Sequence, residues 1–136
     1  MLEAYIKKVQ IEARVMGDLA TTLIVPAALK YQKMLTDNIK GLKDAGLSDA
    51  AFKSQKDILE KLSEHINAIS TNVTAMIDAR KKANDISNTR AKAIAYCENI
   101  KEKYFDTIRY HADKLELLID DSLWPLPKYR ELLFLR

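Results

Sequence analysis

The chain has 136 residues, 22 Lys and Arg against 19 Asp and Glu, a net charge of +3 and a single cysteine. That length fits one domain, large enough to bury a core without disulfides. One cysteine excludes an intramolecular bridge and fits a reducing compartment, and the even mixing of charges argues against a nucleic-acid footprint, which would cluster basic residues on one face.

With only three glycines and three prolines, the chain reads as mostly long helix. The expected fold is all-α: residues 1–136 as one elongated antiparallel bundle of three long helices with a short C-terminal helix. The opening Met-Leu-Glu-Ala-Tyr lacks a charged n-region and a small-residue cleavage site, so no signal peptide is expected and the cytoplasm is the predicted location.

The first helix is predicted from about Leu2 to about Ala45. Leu19 to Leu29 are eleven residues without a charge, too short a run for a transmembrane helix, which needs about 20. Val9, Ala13, Met16, Ala20, Leu23 and Ala27 step by four, three, four, three and four, which places them on one face. Leu19, Ile24 and Val25 fall off that face. Together with Leu23 and Leu29 they form a candidate interface, because contiguous exposed apolar surface on a small protein often binds a partner. Pro26 should kink the helix without ending it, since the apolar register resumes with Tyr31, Leu35, Ile39 and Leu42. Gly46 suits a left-handed C-terminal position, and Ser48 can cap the next helix.

The second helix is predicted from about Asp49 to about Asn84, with a heptad stripe of Leu59, Leu62, Ile66, Ile69, Val73 and Met76, extended by Phe52 and Ala83. The third should run from about Thr89 to about Asp120, capped by Ser87 or Asn88. Its stripe is Ile94, Cys97, Ile100, Tyr104, Ile108, Ala112, Leu115 and Ile119. Pro125 and Pro127 then force an extended path. Trp124 and Leu126 should pin this tail to the bundle, and Pro127 can open a last short helix from Lys128 to about Phe134.

Enzyme signatures are missing. No glycine-rich phosphate loop occurs, and a di-iron bundle would need Glu-x-x-His, whereas Leu62 and Ile108 stand three residues before His65 and His111. His65 reads as a packing residue beside the seam, and His111 as a surface or tertiary hydrogen-bond partner. Cys97 has no base near it in sequence and reads as a small buried hydrophobe. Arg80-Lys-Lys82 is too short a basic run to argue for phosphate or nucleic acid. No catalytic, cofactor-binding or metal residue is assigned.

Several stretches nonetheless resemble one family. They are Ile11-Glu-Ala-Arg-Val-Met-Gly-Asp-Leu-Ala20, Ile24-Val-Pro-Ala-Ala28, Tyr31-Gln32, Met76-Ile-Asp-Ala-Arg-Lys-Lys-Ala83, Ala95-Tyr-Cys97, Ile108-Arg-Tyr-His-Ala-Asp-Lys-Leu-Glu-Leu-Leu118 and Leu123-Trp-Pro-Leu-Pro-Lys-Tyr-Arg-Glu-Leu-Leu-Phe134. In this order they resemble the C-terminal region of bacterial type III glutamine synthetases. The resemblance implies a helical C-terminal domain of a larger ring-forming enzyme that joins ammonia to glutamate with ATP and Mg. The nucleotide, metal and glutamate sites of that family precede this region, so the resemblance implies no cofactor and no catalytic residue in this segment. It implies as partners the catalytic domain and neighbouring subunits, with no nucleic acid and no membrane, and self-association of the segment on its own. The other reading is a free-standing helical adaptor that binds a partner protein.

Overall fold

The computed structural model describes residues 1–127. All the regular structure in them is helical. Helix α1 (Leu2–Leu19) passes through a wide turn, Ala20–Ile24, into α2 (Val25–Asp44). A 3-10 turn, Asp49–Phe52, leads into α3 (Lys53–Asn84). Helix α4 (Thr89–Ala95) runs through a wide-turned segment, Tyr96–Phe105, into α5 (Asp106–Leu118). These make three long packed helices, as the periodicity predicts. The short helix expected over 128–134 lies outside the described residues.

The helix continues past Pro26, as expected, and it does so by a particular means. The proline has no N–H for the carbonyl one turn back, and its ring crowds that carbonyl. The chain answers with a π turn just before it, in which the Val25 N–H reaches back five residues to the Ala20 carbonyl. A π turn holds more residues than an α turn, so it re-phases the face that follows. The buried stripe runs Val9, Ala13, Gly17, Ala20 and Ile24, then both Ala28 and the predicted Ala27. This corrects the predicted stripe. Leu23 is 38% exposed, Ile24 is 5% exposed and belongs to the core, and Met16 is half-buried against it.

The third long helix shows the same effect. Across Tyr96–Phe105 the buried residues are Tyr96, Ile100, Tyr104 and Phe105, and the first three keep the step of four that matches a wide turn. Upstream of Ile100 the stripe consequently moves back by one residue. Ala93 and Tyr96 are buried, while the expected Ile94 is exposed and Cys97 half-buried. Downstream, Ile108, Leu115 and Ile119 are buried as predicted.

Helix α3 carries no such interruption. Leu62, Ile66, Ile69, Val73, Met76 and Ala83 are buried, with Phe52 at the entrance and Leu59 half-buried. The turns also follow sequence. Gly46 has φ of 86°, with Leu47 N–H to the Leu42 carbonyl at 3.1 Å and Gly46 N–H to the Lys43 carbonyl at 2.9 Å, a Schellman end. Asn88 is the cap of α4, its Oδ1 accepting from the Ala91 N–H at 2.8 Å. Ser48 stands at the start of the 3-10 turn but makes no side-chain cap bond. Beyond α5, Trp124 and Leu126 pack against the core as expected.

Truncating a buried seam residue leaves a cavity that surrounding helices fill only in part. Ile66→Ala is expected to cost roughly 2–5 kcal/mol, read as a lower urea midpoint. An unchanged midpoint would contradict the seam register.

Candidate interaction surfaces

The first surface is a groove of about 460 Å³ between α1 and α5, lined also by Leu126 of the tail. Ile11, Val15, Met16 and Leu19 form its α1 wall, Ile108 and Ala112 its α5 wall, and Ile24 lies in its floor. Ile11 is 55% and Val15 50% exposed. Ile11, Val15 and Leu19 step by four, so they form a second apolar stripe on α1, away from the core. The expected interface is brought together only in part. Leu19 and Ile24 line the groove, Val25 packs half-buried on the core, and Leu23 and Leu29 are exposed outside the groove. Sequence reasoning missed Ile11 and Val15, although their spacing from Leu19 was the available signal. Glu12 also lines the groove, and its Oε1 is buried without a hydrogen-bond partner among the described residues. The Trp124 Nε1 is likewise buried and unpaired among the described residues.

The second feature is a histidine pair. His65 on α3 and His111 on α5 meet with their Nδ1 atoms 2.9 Å apart, and Tyr110 lies edge-on to both rings. Both lone pairs cannot face each other at that distance. One ring therefore carries its proton on Nδ1 and donates, while the other carries its proton on Nε2. His65 is buried, which depresses its pKa below 6.5, and His111, Lys114 and Lys61 push the same way against Glu64. No cluster of three or more potential metal ligands occurs among the described residues.

Elsewhere the third helix meets α1 through polar contacts. Tyr96 donates its hydroxyl to Asn84 Oδ1, and Gln10 Nε2 reaches both Asn84 Oδ1 and the Tyr96 oxygen at 3.2 Å. Cys97 donates weakly to Glu102 Oε1 at 3.5 Å. The Tyr5 phenol is pushed up to about 12, chiefly by its hydrogen bond with Cys97 and then by burial. A tyrosine that holds its proton so firmly is no base for the thiol.

These observations define an all-helical domain with an apolar groove and a histidine pair. No helix among the described residues is long and apolar enough to cross a membrane. Comparison with known proteins gives the family. The glutamine synthetase C-terminal domain family matches residues 1–43, which is almost the whole first long helix. A glutamine synthetase of Bacteroides fragilis (strain YCH46) is 45% identical over 137 aligned residues, covering 98% of this chain and 18% of that protein. A type-3 glutamine synthetase of Dictyostelium discoideum is 27% identical over 139 residues, covering 100% of this chain and 19% of that protein. The chain spans about a fifth of the length of the curated relatives it matches. It belongs to the glutamine synthetase C-terminal domain family, and the similarity reaches beyond bacteria.

The histidine pair gives a pH dependence with a definite sign. A depressed folded-state pKa means that the folded chain binds fewer protons than the unfolded chain. The contribution of the pair is intact above 6.5 and is lost as pH falls through that value towards the folded pKa. The urea midpoint is expected to drop between about pH 7.5 and about pH 5.5, and to drop less in His65→Leu. Equal acid sensitivity in the variant would remove the pair from the explanation.

Proposed function

We propose that this domain is the non-catalytic assembly element of a glutamine synthetase of type III, packing on the catalytic body or on a neighbouring subunit. The observation that carries the reading is the α1–α5 groove. Its lining is mostly apolar, with Glu12 and Arg109 as its charged members, Ile11 and Val15 stand half-exposed on it, and a buried carboxylate oxygen of Glu12 lacks a donor among the described residues. Buried polar atoms in native proteins nearly always find a partner, and a docked surface would supply one. The family match falls on the helix that forms one wall of this groove.

On this reading the parent reaction, ATP-dependent ligation of ammonia to glutamate with Mg, belongs to the rest of a longer polypeptide. This segment holds neither nucleotide nor metal, and it works in the cytoplasm without nucleic acid or membrane. A free-standing adaptor remains the second reading, because the same groove suits an amphipathic partner helix.

Immunodetection in source-cell lysate separates the two. A band far above the 15.5 kDa of this chain is expected, and a band at that mass would favour the adaptor. Within the full-length protein, Val15→Glu places a charge in the groove and is expected to shift the assembly towards smaller species in light scattering. Unaltered assembly would refute the docking role. The isolated chain is expected to self-associate at micromolar concentration, and a strict monomer would count against an unsatisfied apolar face. It is also expected to show no γ-glutamyl transfer.

A further inference from the structure

A separate cleft of about 210 Å³ lies between α1 and α3. Its floor is apolar and buried, made by Ala13, Gly17, Val73 and Met76. Its rim carries two guanidiniums, Arg14 from α1 and Arg80 from α3. Among the described residues the ion pairs are Lys33–Asp37, Lys53–Asp57 and Arg109–Asp106, and neither Arg14 nor Arg80 takes part in one. Asp18 is also on the rim, one turn from Arg14, and is likewise outside those pairs. Thr21 Oγ1 is committed to the Gly17 carbonyl at 2.9 Å.

Arg14 and Arg80 also share a neighbour outside the cleft: burial raises the pKa of the Tyr96 phenol, while the hydrogen bond from Gln10, Arg80, the hydrogen bond with Asn84 and Arg14 pull it back down.

Gly17 is the second observation. It sits inside a helix, where glycine is less stable than alanine. Close packing does not require it. A Cβ there would meet Val73 Cγ1 at 3.7 Å and Met76 Cε at 3.8 Å, which is ordinary van der Waals contact. Its backbone is not in the left-handed region, where Gly46 alone is found among the described residues. What the missing side chain leaves is open floor beneath two cations.

We propose that this cleft binds a compact organic carboxylate, with the carboxylate held between Arg14 and Arg80 and a short aliphatic body on the Gly17–Val73 floor. Arginine is suited to the carboxylate because its planar fork donates two parallel N–H bonds. The apolar floor favours a carboxylate with a short carbon chain over inorganic phosphate, which has no apolar part to bury. The carboxylate can belong to a free small acid or to an acidic side chain of a partner protein. The proposal uses different residues from the α1–α5 groove, so either can fail alone.

The test is an NMR titration of the intact chain, following the Nε–H signals of Arg14 and Arg80. The probes are succinate, N-acetyl-glutamyl amide and inorganic phosphate. Saturable shifts of both arginines are expected with one or both carboxylates at millimolar concentration, and weaker shifts with phosphate. Tighter succinate points to a free acid, and tighter capped glutamyl residue to a partner side chain. Arg14→Gln and Arg80→Gln should each weaken binding about tenfold. Asp18→Asn, which removes a repelling charge, should strengthen it. Gly17→Ala should raise the melting temperature and weaken binding, because its methyl occupies the floor. No saturable shift with either carboxylate, tighter binding of phosphate than of both, or unchanged binding in the Arg14→Gln/Arg80→Gln double variant would overturn the proposal.

Discussion

A bundle of long helices must keep one apolar face inward over its whole length, and α3 supplies the fixed reference for that requirement. Its seam from Leu62 to Met76 stays buried without a break. Each of the other two long helices contains a stretch of wide turns. Those turns adjust the facing surfaces to α3, since an α-helix drifts relative to a strict heptad and a π turn changes the phase in one step. The cause is plain in the first helix, where Pro26 removes a backbone donor and Ala20 takes its fifth neighbour's N–H instead. Ile24 rotates into the core as a result, and Leu23 rotates out.

That rotation also decides what is left on the surface. Once the core stripe of α1 follows Val9, Ala13 and Gly17, the stripe of Ile11, Val15 and Leu19 faces α5 at the mouth of the groove. The tail then packs back on the core through Trp124 and Leu126, and Leu126 joins the lining of the groove. Asp120 supports that return, because its Oδ1 accepts from both the Ser122 N–H and the Ser122 hydroxyl at 2.8 Å. The groove is thus a product of helix phase and of a proline-directed tail, and neither is a local property of the residues that line it.

This explains which parts were legible in the sequence. The three helices, the Gly46 turn, the Asn88 cap and the α3 seam each rest on near-neighbour spacing, which periodicity reads directly. The phase of α1 across Pro26 and of the third helix above Ile100 was not legible, because both expectations assumed constant α turns. Ile94 and Cys97 were misplaced for this reason alone. The meeting of His65 and His111, 46 residues apart, depends on how α3 and α5 align, and nothing local announces it. The family was legible because long motifs survive in order, and they carry information that periodicity lacks. The groove was half legible: an uncharged run marked the right helix, but the surface residues lay one turn earlier.

The first long helix and α3 contribute unequally to the core. Helix α3 presents Leu, Ile, Val and Met, whereas the first helix answers with Ala13, Gly17, Ala20, Ala27 and Ala28 beside Ile6, Val9 and Ile24. Small residues let backbones approach closely but remove little apolar area from water, at about 25 cal/mol per Å². The first helix therefore gains less from the bundle core than its length would allow. Two more of its larger apolar side chains, Ile11 and Val15, lie outside that core on the groove. This division leaves the first helix with apolar side chains on two sides, one in the bundle core and one on the groove.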